Sequence, residues 1–438
     1  MIKTRGINKI APLTILIGLS AVVLLTPLSR RGVAGGEAPF CLGFILLFGY
    51  YLANLLKGLR LPSISAYIAA GMLAGPYAIN LLSQEVVQSL QLFDDAALAI
   101  IALIAGGEMK LRVLRSRAAS FAGVIAGQLL FSFLGAGIVA LALLDHLSLP
   151  IMEGSGAVVA LALLLGLVMV ARSPSTTIGV VTETRSRGPL TELIVGVTVI
   201  VDVLILILVA FIVPTAEMLL TPEQAFSFSF AEDLFITVFG SIAIGVFFGA
   251  LIGSYLRWIR GYIPLFLVGV GFIGSLVCRH FDFEPLLTFM IAGFVITNFS
   301  AVGDDLIRGL EKSAFPVYVI FFAISGASID LDALSVMWRF ALLLVVVRAL
   351  SFLAGGWLAG CFAQDVRGHA GTLWTGFLSQ AGVTIGIASI IERKFGWGGE
   401  LKTLILAAVA INQLVGPVLL MYLLGRKGEV GGMDRSDQ

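Results

Sequence analysis

The amino-acid sequence predicts an all-α polytopic membrane protein of about 13–14 transmembrane helices, built as two inverted six-helix repeats with two interrupted crossing helices. Three observations carry this expectation. The 438 residues are 58% hydrophobic and only 13% charged, with a mean hydropathy of +1.03, whereas soluble domains carry roughly 25% charged residues. Apolar runs of membrane-spanning length recur along the whole chain. Short segments of the first half also return, in the same order, in the second.

Runs of about 17–25 mainly apolar residues fall near 10–28, 38–56, 62–82, 93–109, 118–144, 155–183, 190–213, 234–256, 261–279, 285–300, 313–330, 336–362, 370–391 and 401–425. The first follows a basic start (Lys3, Arg5, Lys9) and precedes Val33-Ala34-Gly35. It is expected as a retained helix, with a cleaved signal peptide as the alternative. With the N-terminus inside, 19 of the 28 Lys and Arg residues lie in inner loops, 7 in outer loops, and Arg172 and Arg348 in the membrane. The positive-inside rule then places both termini in the cytoplasm of an inner or plasma membrane.

The repeat rests on four ordered matches. A-L-I-A-G-G-E-M-K-L (102–111) resembles F-A-I-S-G-A-S-I-D-L (322–331), and S-F-L-G-A-G (132–137) resembles S-F-L-A-G-G (351–356). T-T-I-G-V-V (176–181) resembles V-T-I-G-I-A (383–388), and Y-I-A-A-G (67–71) resembles F-M-I-A-G (289–293). Equivalent spans are an odd number apart, so the second copy runs inverted. The chain divides into an N-terminal extra helix (1–37), repeat 1 (38–213), a linker helix (214–260), repeat 2 (261–425) and a short cytoplasmic tail (426–438).

Two spans of the first repeat contain groups that lipid excludes. Arg172-Ser173-Pro174 interrupts one, and Asp202 stands alone in the next. A charge at the centre of a spanning helix costs roughly 2.5–3.5 kcal/mol on insertion scales, and a mid-span proline frees backbone groups that need new partners. Such groups mark a transport site. The repeat sets the first break against Ser379-Gln380-Ala381-Gly382, Asp202 against about Gln413 beside Asn412, and Arg348 against about Gln128. Thr198, four residues before Asp202, shares its helix face. Ser173, Thr176 and Thr177 add hydroxyl oxygens near the break, although such groups also bond back to their own helix.

Other chemistry is poorly served. A net charge of +1 gives no basic face for nucleic acid. Cys41, Cys278 and Cys361 lie inside apolar spans, and His146, His280 and His369 in separate loops, so no metal cluster, triad or enzyme site is expected, nor any cofactor. Gly269 to Gly274 fits G-x-G-x-x-G but sits inside a span without a preceding strand, which argues against a dinucleotide site. Gly245, Gly249 and Gly253 fit close helix packing.

The segments L-P-S-I-S-A-Y-I-A-A-G-M-L-A-G-P (61–76), I-A-G-G-E (104–108), the Ser-Pro break followed by Glu183 and Asp202, F-F-A-I-S-G-A-S-I-D-L (321–331), Arg348 and L-S-Q-A-G (378–382) together resemble the monovalent cation:proton antiporter superfamily over about 38–425. The resemblance implies the sodium/proton antiporter fold, with Pro174, Gln380 and Gly382 at the crossing breaks. It implies that Asp202 binds a proton or a monovalent cation (Na⁺ or K⁺), that Arg348 compensates charge, and that the scaffold forms a homodimer. It marks Glu183 and Glu108 as candidates for gating. Two departures stand out: Val201 precedes the aspartate where many members carry an acid or amide, and Arg172 brings a cation to the first break. Arg172 is expected to pair with Glu183 or Glu108, or to cap half-helix carbonyls. Arg348 stands where electrogenic relatives use a titratable lysine, so electroneutral exchange is expected. Alternatives are an anion or organic-acid carrier using the two arginines, or a transport-inactive sensor.

Overall fold

The computed structural model describes residues 18, 37–56, 61–144, 155–220, 228–258, 263–300, 303, 306–307, 309–310, 315–395 and 397–431. The expected span near 10–28 lies outside them, Gly18 excepted. Every expected span from 38 onward coincides with a helix, continuous or broken.

The first repeat comprises α1 (Glu37–Leu56), α2 (Ser63–Ala74), the short α3 (Gln84–Ser89), α4 (Gln91–Glu108), the short basic α5 (Leu111–Ser116), α6 (Ala118–Leu144), the broken pair α7 (Ser155–Val170) and α8 (Pro174–Thr184), and α9 (Pro189–Leu220). α10 (Phe228–Trp258) spans most of the stretch expected as the linker. The second repeat comprises α11 (Ile263–His280), α12 (Pro285–Phe299), α13 (Phe315–Ala327), α14 (Leu331–Phe362), the short α15 (Gln364–Arg367), a 3₁₀ segment (Leu373–Phe377) leading to a break and then α16 (Gly382–Lys394), and α17 (Gly398–Arg426). Among the described residues, 6 helices are long and apolar enough by themselves to cross a membrane.

Local sequence explains the boundaries. Pro76 forces Gly75 into an extended conformation, which ends α2. Ser83 accepts from the Val86 amide and starts α3. Asp330 does the same for Ala333 at the head of α14. One boundary differs from expectation: α9 does not stop at 213 but runs through Pro214 to Leu220, 32 residues in all. A proline lacks only one donor, and apolar helices in lipid tolerate that loss. The boundary drawn between repeat 1 and the linker therefore falls inside a helix.

The crossings of short helices fit the inverted repeat. α2 packs on α13 and α4 packs on α12, pairings that the repeat interchanges. A Cβ on Gly71 would collide with the Ala323 carbonyl, and one on Gly293 with that of Leu103. Likewise a Cβ on Gly326 would strike the Ile68 carbonyl, and one on Gly106 that of Met290. Gly71 and Gly293 are equivalent, as are Gly106 and Gly326, so the same backbone contact is made twice in the molecule. α6 and α14 cross at the centre, Gly127 against Gly355. On the face of the α8–α9 turn, Asp365 accepts from Arg117 (2.7 and 3.0 Å) and Ser120 (2.6 Å), tying α6 to α15.

Candidate functional site

The two breaks meet. Ser173 donates its amide to the Ser379 carbonyl at 2.9 Å, so the non-helical stretches of α7–α8 and of the 3₁₀ segment–α16 touch backbone to backbone. The second break also lies on α17, where Gly416 leaves room for the Ser379 backbone. Pro174 is the first residue of α8, and Ser173 caps it by accepting from the Thr176 amide at 3.2 Å.

A broken helix leaves carbonyls unpaired at the end of its first half, and these carry the negative end of the helix dipole. Arg348 takes them from both breaks. It donates to Met169 (2.8 Å) and Ala171 (2.8 Å) at the end of α7, and to Phe377 (3.0 Å) and Leu378 (2.7 Å) at the end of the 3₁₀ segment. Gln380 continues the lattice, donating to Val168 (2.7 Å) and Ala171 (3.2 Å) and accepting from Asn412 at 2.7 Å. Gln413 donates instead to Ser325 at 2.6 Å. Gln128 is buried on α6 with no hydrogen-bond partner for its amide, and Arg348 does not bond to it.

Arg172 departs from expectation. It pairs with neither Glu183 nor Glu108, and of the carbonyl capping it makes a single long bond, to Val170 at the end of α7, while Arg348 makes the rest. Its guanidinium is 2% exposed and lies over the rings of Phe377 (4.7 Å) and Phe352 (4.9 Å). Its Nε reaches the Val170 carbonyl at 3.4 Å, while both terminal nitrogens lack partners. The physical reason is tertiary: Arg348 enters from α14 between the two breaks and takes four of their carbonyls, so Arg172 is left to the aromatic faces. The Phe352 ring also carries Arg348 at 4.6 Å.

Asp202 on α9 is 5% exposed, and its Oδ1 has no hydrogen-bond partner. Thr198, one turn earlier, is 1% exposed with an unpartnered hydroxyl. Arg172 and Asp202 lie within electrostatic reach of each other. Ser173, Thr176 and Thr177 have the bland role open to them: Ser173 bonds Thr176 and Ser175 through their hydroxyls, and Thr177 donates to the Ser173 carbonyl. Gly382 opens α16 with free space where a Cβ would sit.

Glu183 accepts from the amides of Ser63 (2.6 Å) and Ile64 (3.2 Å), capping α2. Glu108 lines a cavity of about 280 Å³ with Lys110, Ile178, Arg187, Thr191 and Val195. Thr191 and Val195 precede Thr198 and Asp202 on one face of α9, so the cavity is lined by the face that further along carries the carboxylate.

Three contributors escape sequence reasoning. Phe352 and Phe377 look like any aromatic in an apolar span. Thr384, with a buried unpartnered hydroxyl on the first turn of α16, had a usable signal: it aligns with Thr177 in the repeat.

A family model described as the transmembrane part of the sodium/hydrogen exchangers matches residues 43–424. Probable Na(+)/H(+) antiporter 3 of Methanocaldococcus jannaschii is 23% identical over 403 residues, covering 89% of this chain and 98% of that protein. Probable Na(+)/H(+) antiporter GerT of Bacillus cereus is 23% identical over 382 residues, covering 84% and 89%. Two structures of the sodium proton antiporter MjNhaP1 from Methanocaldococcus jannaschii superpose with TM-scores of 0.69 and 0.61 over 91% and 90% of this chain and 99% of theirs. At 16% identity that likeness establishes the sodium/proton antiporter fold. With a family match over most of its length, the chain belongs to the sodium/hydrogen exchanger family.

Proposed function

We propose that this protein is a secondary transporter that exchanges protons for a monovalent cation, Na⁺ or K⁺, by alternating access, with Asp202 holding one or the other. The observation that carries this reading is a buried carboxylate with a free oxygen, beside a free threonine hydroxyl and the contact between two broken helices. An alkali ion wants oxygens: Asp202 and Thr198 offer them directly, and Ser173, Thr176 and Thr177 border the break. Proton and cation compete for the same carboxylate, so loading one expels the other. Membership of the family and the names of the two relatives support the assignment.

Arg172 supplies the counter-charge when Asp202 is empty, since its terminal nitrogens have no other acceptor. Glu183 belongs to scaffolding rather than gating in this reading, whereas Glu108 lies on the entry route. The membrane is the inner or plasma membrane with both termini cytoplasmic, and the assembly is a homodimer, as family likeness and the basic loops imply.

The test uses proteoliposomes loaded with a pH dye and challenged in turn with Na⁺, K⁺, Li⁺ and chloride. Wild-type protein should move protons in response to a cation, and Asp202→Asn should abolish that flux. Cation-driven flux that survives Asp202→Asn unchanged would refute the reading. The free edge of Arg172 favours a second reading, an anion or organic-acid carrier, for which flux driven by anions alone is the required result.

A further inference from the structure

Beyond α17 the chain turns back onto the protein. Gly428, with φ 73°, reverses its direction, and the Glu429 amide donates to the Leu424 carbonyl at 3.1 Å. Lys427 donates to the Gly368 carbonyl at 3.2 Å. The returning strand then grips the turn between α8 and α9. The Arg187 amide donates to the Glu429 carbonyl at 2.9 Å, and the Gly431 amide to the Thr184 carbonyl at 3.2 Å.

The side chain of Glu429 does more. Its carboxylate accepts from the Leu190 amide (2.9 Å), the Thr191 amide (2.7 Å) and the Thr191 hydroxyl (2.7 Å). Leu190 and Thr191 are in the first turn of α9, where amides have no carbonyl partner inside the helix and the dipole favours an anion. The turn is shaped around this carboxylate. Gly188 has φ 156°, and a Cβ there would strike the Glu429 side chain; Arg185 is held left-handed at φ 49°. Arg185 is also held as the C-cap of α8, where its amide bonds the Thr182 carbonyl and the Ser186 amide bonds that of Val181, so the hook bears chiefly on Gly188 and the first turn of α9.

These held residues form part of the mouth of the cavity. Ser186, Arg187, Gly188 and Thr191 line it, and α9 leads from there to Thr198 and Asp202. The hook lies outside residues 43–424, the family-matched region.

We propose that the C-terminal hook, anchored by Glu429, is a positioning element for transport: it fixes the α8–α9 turn and the start of the Asp202 helix in the shape that keeps the cavity open on the C-terminal face. This inference rests on the reading of Asp202 as the cation site. Glu429 touches no transported ion and acts only through α9. Loss of the hook lowers the population of the open-mouthed conformer, and apparent affinity on that face falls by the same factor.

The experiment uses the full chain in oriented vesicles, with Na⁺ and K⁺ as probes, and compares wild type with Glu429→Ala, Glu429→Asp and Glu429→Gln. Amide exchange over 184–192 should quicken in Glu429→Ala, with a loss of protection of about tenfold, as expected when two helix-start bonds and the turn are released. The KM for cation on the C-terminal face should rise about threefold or more while that on the other face and the maximal rate change less than about twofold. Glu429→Asp should recover part of both effects. Unchanged exchange over 184–192 would overturn the hook. Faster exchange with both KM values moving together, or with neither moving while only the melting temperature falls, would overturn its bearing on entry. If Glu429→Ala does not insert, Glu429→Gln is read on the same terms, because it also removes the charge and two-oxygen acceptor. Asp202→Asn in the same vesicles reports separately on the site: exchange over 184–192 does not depend on whether Asp202 binds the cation.

Discussion

Two arginines are buried in the same region with different tasks, and their neighbours decide which does what. Arg348 donates four hydrogen bonds to carbonyls that two broken helices leave unpaired. Arg172 donates only one weak bond and rests on two rings. Replacing Arg348 by Gln leaves most of those carbonyls buried without donors, each costing about 1–3 kcal/mol. We expect Arg348→Gln to lose about 3 kcal/mol or more of stability, read as a sharp fall in melting temperature in detergent. Arg172→Gln should cost less than half as much, because it gives up one long bond to a carbonyl and its contacts with two rings rather than four bonds. Equal losses would mean that Arg348 is not the main tie between the breaks. The sequence made Asp202 and both arginines conspicuous, since a charge in an apolar span is expensive wherever it points. It did not show their division of labour, because that depends on which side chain enters between the breaks, a tertiary fact absent from spacing. The same limit applies to Glu183, whose capping of α2 through the Ser63 and Ile64 amides joins segments 120 residues apart and has no signal in local spacing.

At the scale of elements, helix positions were legible from apolar run length, and the breaks from Ser-Pro and from S-Q-A-G. The 3₁₀ form of the segment before the second break was not, since no proline announces it and the interruption is set by Arg348 and the backbone of α7. The repeat was legible too, through Y-I-A-A-G and F-M-I-A-G, and the fold gives those glycines a reason. Gly71 and Gly293 allow backbone-to-backbone crossings, as do Gly106 and Gly326. In lipid, where helices gain no hydrophobic drive toward one another, such contacts supply the packing that holds a crossing together. Gly326→Val should therefore force α13 from α2 and destabilise by about 1–3 kcal/mol or more. Gly269→Ala, where nothing lies within 4 Å of the added carbon, should be neutral or slightly stabilising. Thermal unfolding of the two variants side by side checks this. A neutral Gly326→Val would show that the crossing tolerates separation.

For the whole molecule, the charge inventory of the buried region fixes what a transport cycle can carry. Among the described residues, Asp202 is the one carboxylate buried with Arg172 and Arg348, while the half-buried Glu284 lies within electrostatic reach of it. Guanidinium groups keep their protons in proteins. With a proton on Asp202, the site carries the two arginine charges alone. With a monovalent cation bound instead, carboxylate and cation cancel, and the same two charges remain. Under the proposed exchange at Asp202, either loaded form would cross the membrane with equal charge, and one proton exchanged for one cation would leave no net current. Val201 fits the argument, because an acid or amide there would offer a second ligand or proton site beside Asp202 and a valine offers neither. In proteoliposomes with a clamped membrane potential, cation-driven proton flux should be insensitive to an imposed voltage, and no steady current should accompany it. A sustained current that reverses with the cation gradient would require a second titrating group. The first places to look would then be Glu284, within electrostatic reach of Asp202, and Glu108 at the cavity, by repeating the current measurement on Glu284→Gln and Glu108→Gln.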